Sequence, residues 1–253
     1  MRLGAGIRGW VGILRSLRVY HGDRRHHDGL ERLYRPFIEP GDLAFDIGAH
    51  VGDRIRVLRR LGARVVAVEP QPRLASLLRA LFGRDADVTV IEAAVDAAPG
   101  IIALRINSAN PTVSTASDQM VMAVAEHERW GSEVWNETVR VEATTIDRLI
   151  VEHGEPAFIK IDVEGLEDRV LVGLNRPVRV LSFEFTTLQK DVALRSLDRA
   201  GELGYRHFNM SLGESHAMAL AETCSKDVMR KRLLDLPDAA NSGDVYCFLA
   251  SPT

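Results

Sequence analysis

Residues 42–70 constrain the fold of this chain more than any other stretch. Leu43–Ile47 is an apolar run with the length of one buried strand. Gly48 and Gly52 interrupt it, and apolar residues at helical spacing follow. We therefore expect a tight turn and then a helix. The first N–H groups and the positive dipole end of that helix would face an anionic group above the turn.

A second strand and an acidic residue complete this unit. Val65–Val68 is typical of a parallel strand, and Glu69 follows it. A carboxylate about twenty residues after a glycine turn is placed to accept both hydroxyls of a ribose. The stretch thus predicts half of a doubly wound α/β domain that binds a nucleoside.

The glycine spacing indicates which nucleoside is bound. A dinucleotide fold favours G-x-G-x-x-G, whereas this chain has Asp46-x-Gly48-x-x-x-Gly52. A carboxylate at Asp46 would repel a pyrophosphate but suits an amino group, and S-adenosylmethionine carries an amino group and no phosphate. We predict that Asp46, Gly48 and Gly52 hold its methionine part and that Glu69 holds its ribose. Alternatively, Asp46 only caps the following turn.

Composition and charge narrow the functional class. The 253 residues suffice for one α/β domain, and the net charge of −3 gives no sign of a nucleic-acid-binding surface. No apolar run is long enough to span a membrane. Cys224 and Cys247 have no metal-binding spacing and fit a reducing, cytoplasmic location, although a single disulfide remains open.

A second group of acidic residues follows two later strands. Asp162 and Glu164 come directly after the apolar run Phe158–Ile161, and Glu184 lies near the end of the next apolar run. Doubly wound sheets bind ligands at the carboxyl ends of their strands, so these acids would form the floor of a polar cleft. Lys160, inside the first run, has two interpretations, a functional role or a structural ion pair with an acid.

Three further assignments are less constrained by the pattern. The loop after a third strand, Val88–Ile91, meets the adenine in this fold class, so Asp96 or its neighbours are expected near the base. Trp130 and Trp135 would either cover a sheet edge or line a substrate pocket. The acids offer no histidine-rich ligand set, and we predict no metal site.

Several motifs together resemble the FkbM family of S-adenosylmethionine-dependent methyltransferases. They are Phe45–Gly52, Val68–Pro72, Thr145–Asp147, Ile159–Glu167 and Ser182–Glu184. The resemblance covers roughly residues 40–210, and its most specific part is the Lys-Ile-Asp-Val-Glu-Gly run that begins at Lys160. One departure is His50, where the family usually has Asn. Histidine can still donate a hydrogen bond to the cofactor carboxylate, with a charge that depends on pH near 6.5.

The resemblance implies a Rossmann-like class I fold, a seven-stranded, mostly parallel sheet with helices on both faces and an antiparallel last strand. It also implies methyl transfer, usually to oxygen, with a small molecule or saccharide as acceptor and Asp162, Glu164 or Glu184 as general base. An RNA methyltransferase and a nucleoside-binding module without turnover remain alternatives.

The expected organisation has two parts and one insertion. Residues 1–40 would form a helical extension that begins with a basic amphipathic helix, packed on the domain or near the substrate mouth, and residues 41–253 would form the methyltransferase domain. Within that domain, residues 213–243 would form a lid or an edge insertion. The cationic stretch Arg24–His27 is interpreted as a solvated linker or as a patch for an anionic substrate.

Overall fold

The computed structural model describes residues 3–127 and 133–251 and is built on two β-sheets. The strands are β1 (Leu43–Ile47), β2 (Arg64–Val68), β3 (Val88–Ile91), β4 (Ala94–Val95), β5 (Gly100–Ile106), β6 (Glu137–Thr144), β7 (Phe158–Ile161), β8 (Val180–Thr186), β9 (His207–Leu212) and β10 (Ser242–Phe248). The helices are α1 (Leu3–Gly22), α2 (Arg24–Tyr34), α3 (Asp53–Arg60), α4 (Pro72–Phe82), α5 (Asp118–Glu126), α6 (Ile146–His153), α7 (Glu167–Val172), α8 (Lys190–Leu203) and α9 (Lys226–Asp235). Trp130 lies outside the described residues.

The main sheet has seven strands in the order β3-β2-β1-β7-β8-β10-β9. The neighbouring strands pair in parallel, except that β10 runs antiparallel to both β8 and β9. The order reverses direction beside β1, which places the ligand-binding crevice at the carboxyl ends of β1 and β7. The predicted class I fold is confirmed.

Helices cover both faces of the main sheet because its strands are apolar on both sides. On one face, Leu33 of α2 and Leu58 of α3 pack against the alternate positions Ala44 and Phe158. On the other face, α6, α7, α8 and α9 cover a larger cluster that includes Phe45 and Phe183. The core therefore lies in two layers on either side of β1, β7 and β8.

A second sheet of three strands, in the order β4-β6-β5, was not predicted. The run Ile101–Ile106, expected as an edge strand, lies in β5 at the edge of this separate sheet. Its apolar side forms a small cluster around Leu104 and Val141. The Trp135 Nε1 donates to the Val113 carbonyl oxygen at 2.9 Å.

The N-terminal helix α1 packs on the domain, as predicted from its sequence. Ile13 contacts Val51 and Leu74 in a small apolar cluster. The His21 imidazole lies 2.8 Å from the Val51 carbonyl oxygen, at the turn that precedes α3. The end of α1 is thereby fixed beside the loop that carries the glycine motif.

The interpretation of Arg24–His27 as a solvated linker is wrong. These residues form the first turn of α2, which Asp23 caps by accepting a hydrogen bond from the Arg25 backbone N–H. His27 is buried and His26 is half-buried. The helix start was not predicted, because an aspartate followed by charged residues and histidines is also typical of an exposed linker.

The segment 213–243 has two different environments. Its helix α9 packs against α8, with Met229 and Leu233 inside the larger core cluster. The beginning of the segment, in contrast, includes Glu214, which lines the main cavity.

Two further observations concern the cysteines and the helices. Cys224 and Cys247 are both free, so the disulfide left open by the sequence is not formed.

Across residues 3–127 and 133–251, no helix combines the length and apolarity needed to cross a membrane.

Two buried tyrosines provide a matched test of the core. The Tyr205 hydroxyl donates to the Val178 carbonyl oxygen and accepts from the Val178 N–H, both at 3.0 Å. The equally buried Tyr34 hydroxyl has no hydrogen-bond partner among the described residues. Tyr205→Phe should lower the free energy of unfolding by about 1–3 kcal/mol, since two buried backbone groups lose their partner. Tyr34→Phe should be neutral or stabilising. Urea unfolding that ranks the two variants in the opposite order would contradict this packing.

Candidate active site

A cleft of about 980 Å³ opens at the carboxyl ends of β1, β2, β7 and β8. Six of the predicted site residues line it: Gly48, His50, Glu69, Asp162, Glu164 and Glu184. Its opposite wall comes from the small sheet and the following loop, with mostly apolar side chains from Ala93 to Ala116. The cleft thus has an acidic floor and an apolar wall, a combination suited to a polar ligand that carries a flat, apolar ring.

Gly48 occupies the tightest point of the floor. Its φ of 85° lies in the left-handed region, and a Cβ at this position would be 1.7 Å from the Asp162 carbonyl oxygen. Any side chain would therefore push β1 and β7 apart. The glycine is needed because the turn after β1 packs directly on the end of β7.

Glu69 is held by the backbone on both of its carboxylate oxygens. The His50 N–H donates to one oxygen at 2.9 Å and the Gln71 N–H donates to the other at 2.8 Å. Burial raises the pKa of Glu69 to about 8, although these two donors oppose the shift. Each oxygen can accept a second hydrogen bond. Glu69 therefore fits the ribose of S-adenosylmethionine, whose two hydroxyls need neighbouring acceptors.

His50 has a backbone φ of 47°. Asparagine and histidine both tolerate this left-handed conformation better than most residues, which accounts for His at a position where the family usually has Asn. Burial lowers the pKa of His50 to about 4. The imidazole is then neutral near pH 7, and the expectation that its charge changes near pH 6.5 has to be corrected.

Asp46 and Gly52 do not line the cleft. The Asp46 carboxylate is fully buried inside the sheet, without a hydrogen-bond partner among the described residues, and burial raises its pKa to about 7. Gly52 precedes α3 with a φ of 82°, and a Cβ there would meet the Phe82 and Leu78 side chains. Both residues support the turn, and their predicted contacts with the cofactor stay a prediction.

Asp96 is also displaced from its predicted place. Its carboxylate accepts two hydrogen bonds from the Arg169 guanidinium, and one of its oxygens accepts another from the Ala97 N–H at 2.7 Å. It does not line the cleft, whereas its neighbours Ala93–Val95 do. Of the prediction that Asp96 or its neighbours meet the base, the neighbours Ala93–Val95 are the residues that line the cleft, and their contact with the base stays a prediction.

The three acids predicted as catalytic converge in the cleft. One carboxylate oxygen from each of Asp162, Glu164 and Glu184 lies within 4.8 Å of the others, a spacing at which they could also share a divalent cation. Burial, followed by the charge of Asp162, holds the pKa of Glu164 and of Glu184 well above the usual range. These two carboxylates therefore hold protons more strongly than an exposed glutamate.

Asp162 differs because two cations lie beside it. The Lys160 Nζ and an Arg54 guanidinium nitrogen are each 3.1 Å from its carboxylate. Burial by itself would raise the pKa of Asp162, but these two charges outweigh it and lower the pKa to about 2. Asp162 is consequently ionised throughout the neutral range.

Lys160 is a structural residue, the second of its two interpretations. Its Nζ is buried between Asp162 and Asp244, at 3.1 and 2.8 Å. It does not line the cleft. In the Lys-x-Asp motif, the Lys160 ammonium group therefore stabilises the ionised Asp162 from the side that faces away from the cleft.

The sequence analysis missed four residues of this site: Tyr20, Arg54, Glu214 and Asp244. Tyr20, Arg54 and Glu214 line the cleft, and Asp244 pairs with Lys160. Arg54 had a usable signal, since it directly follows the glycine turn in the first turn of α3. The other three come from α1 and from the last part of the chain, and only the tertiary fold brings them here.

Removing the Glu69 carboxylate should weaken binding of S-adenosylmethionine, the donor predicted from the sequence. Glu69→Ala should raise the dissociation constant at least about tenfold, because the buried acceptor for both ribose hydroxyls is lost. Glu92→Ala is the matched control, because Glu92 lies exposed after the neighbouring strand. Calorimetry on both folded variants is the measurement. Equal affinities of Glu69→Ala and the wild type would remove Glu69 from the donor site.

Comparisons with known proteins identify the family of the chain. The sequence profile of the FkbM methyltransferase domain matches residues 46–206. No curated protein matches the chain.

Three solved structures illustrate the similarity of the fold, and each is distant in sequence. Precorrin-6y C5,15-methyltransferase from Geobacter metallireducens GS-15 has 12% identity and a TM-score of 0.44, covering 86% of this chain and 85% of its own. A TehB-like SAM-dependent methyltransferase from Corynebacterium glutamicum has 11% identity and a TM-score of 0.48, with coverages of 94% and 95%. Fibrillarin from Aeropyrum pernix, with natively bound S-adenosyl-L-methionine, has 10% identity and a TM-score of 0.43, with coverages of 83% and 68%. These values are too low to bear on the substrate.

The profile match spans more than half of the chain and contains both the glycine turn and the acidic floor of the cleft. The protein therefore belongs to the FkbM methyltransferase family and is an S-adenosylmethionine-dependent methyltransferase.

Proposed function

We propose that the protein methylates a hydroxyl oxygen of a small molecule or saccharide. The observation that carries this proposal is the set of three carboxylates in one cleft, one with a lowered pKa and two with raised pKa values. A hydroxyl acceptor has to lose a proton as its oxygen gains the methyl group, so a base in the cleft is required. S-adenosylmethionine supplies the activated methyl group when it is bound.

Glu184 is the best candidate for that base. Its carboxyl group lines the cleft and is hydrogen-bonded with Asp162, so a proton that it takes from an acceptor hydroxyl can be shared with that ionised carboxylate. Asp162, with its low pKa, holds a proton too weakly to be an effective base near pH 7. Asp162 instead contributes a fixed negative charge that favours the protonated form of Glu184 after the transfer.

The charge of the cleft favours an acceptor without phosphates. Glu69, Asp162, Glu164, Glu184 and Glu214 line it, whereas Arg54 is its only basic lining residue apart from His50 in the described part of the chain. A nucleic-acid backbone finds few partners on this surface, because phosphate binding depends on several Lys and Arg side chains. Hydroxyl groups of a sugar or polyketide-like molecule can donate hydrogen bonds to these carboxylates.

The acceptor class can be tested by following the methyl group. The protein is incubated with methyl-tritiated S-adenosylmethionine and either bulk RNA or extracts rich in saccharides and phenols. We expect the label in small products that withstand mild alkali, as methyl ethers do. Label in RNA, or in alkali-labile esters, would contradict the proposal. Donor binding without transfer to any extract would favour the nucleoside-binding module.

A pH profile tests the assignment of the base. Since burial and the charge of Asp162 hold the pKa of Glu184 above the usual range, its ionised form is lost as the pH falls through that value, so kcat should rise with pH above the range in which an ordinary glutamate titrates. If Asp162 were the base, kcat would not show this rise, because Asp162 stays ionised throughout the neutral range. Glu184→Gln should reduce turnover about 100-fold or more with little change in donor affinity. Glu202→Gln, on the exposed side of α8, is the control. A fully active Glu184→Gln enzyme would exclude this role.

A further inference from the structure

Three side chains outside the acidic floor point their ligand atoms at one another. The His216 Nε2 lies 3.0 Å from the His26 Nδ1 and 3.5 Å from a Glu214 carboxylate oxygen. That same Glu214 oxygen lies 3.6 Å from the His26 Nδ1. Two imidazole nitrogens and one carboxylate oxygen form the ligand set of many zinc sites.

The dimensions of this triangle match a metal site. In tetrahedral zinc coordination with bonds of about 2.0–2.1 Å, neighbouring ligand atoms lie about 3.3 Å apart. The three distances between the ligand atoms of His26, Glu214 and His216, which are 3.0, 3.5 and 3.6 Å, lie close to that value. The point equidistant from the three atoms in their plane is about 2.0 Å from each, so an ion slightly above the plane has normal bond lengths. We propose that His26, Glu214 and His216 bind a divalent transition-metal ion of the zinc type.

Asp53 supplies the support that a ligating histidine needs. Its carboxylate is buried and lies 2.9 Å from the His26 Nε2. A hydrogen bond there keeps the proton on Nε2 and leaves the Nδ1 lone pair directed at Glu214 and His216. Carboxylate–histidine–metal arrangements of this type orient the ring and strengthen the ligand.

The loop that carries His216 is shaped for this position. His216 has a φ of 49°, a left-handed conformation that histidine adopts more readily than most residues. Its ring packs on Gly29 of α2, where a Cβ would lie 2.8 Å from the ring carbon Cδ2. The ring therefore reaches His26 only because position 29 has no side chain. The space left at Gly29 and the hydrogen bond from His26 to Asp53 indicate a built site rather than a chance contact.

The site adjoins the cleft but does not depend on the proposed acceptor. His26, Glu214 and His216 line a smaller polar cavity of about 440 Å³, which shares Arg54, Glu184 and Glu214 with the cleft. Three protein ligands leave a fourth position for water or for a ligand oxygen, as in zinc sites that are not purely structural. The metal would also join α2 of the N-terminal extension to the loop after β9.

Metal titration of the full chain tests the proposal. Tag-free protein is stripped with a chelator and titrated with Co²⁺, followed by visible absorption, and with Zn²⁺, followed by calorimetry. We expect one equivalent to bind, with the intense absorption of a tetrahedral Co²⁺ ion and a rise in melting temperature. Glu214→Gln and His216→Gln should each weaken binding more than about tenfold, as loss of a ligand requires.

A histidine outside the proposed metal site provides the control. His153→Gln removes a surface histidine beside Glu152, and it should leave metal affinity unchanged. Glu214 is 65% exposed, so Glu214→Gln should fold normally even if the histidine variant does not. Absence of stoichiometric binding, or equal affinity in Glu214→Gln and the wild type, would mean that His26 and His216 form only a hydrogen-bonded pair, and would overturn the proposal.

Discussion

The buried ammonium group of Lys160 determines the chemistry of this site. It lies between Asp162 and Asp244, and with Arg54 it keeps Asp162 ionised in a place where burial alone would favour the neutral acid. That fixed negative charge in turn raises the proton affinity of Glu184 and Glu164. The buried Lys160 ammonium group therefore gives three similar carboxylates different properties. Asp162 stays ionised, whereas Glu164 and Glu184 can accept a proton. Breaking such a buried pair is costly, which explains a lysine inside an apolar strand.

A second constraint connects this acidic floor to the donor end of the cleft. The backbone at Gly48 lies so close to the Asp162 carbonyl that no side chain fits between them. The turn that precedes α3 and the end of β7 consequently form one rigid surface. His50, two residues later, then donates its backbone N–H to Glu69. A methyl donor held by Glu69 would thus be positioned relative to the carboxylates through a short and continuous piece of backbone.

The sequence predicted what depends on local pattern and spacing. Apolar runs with glycine breaks identified the strands of the main sheet and the turn at Gly48, and acids after the strands identified the floor of the cleft. It could not predict where buried carboxylates point, so Asp46 and Asp96 were placed at the ligand although one is sealed inside the sheet and the other is bound to Arg169. The cluster of His26 with His216 joins residues 190 positions apart, and no spacing rule detects such a pair.

We propose that Glu69 and the three carboxylates of the cleft face neighbouring parts of one donor molecule, the ribose at Glu69 and the sulfonium methyl group at the acids. A crystal structure with bound S-adenosylhomocysteine tests this most directly. We expect both ribose hydroxyls at hydrogen-bond distance from the Glu69 carboxylate, and the sulfur atom above the group formed by Asp162, Glu164 and Glu184. A ligand whose ribose contacts other residues, or whose sulfur lies away from these acids, would contradict the account.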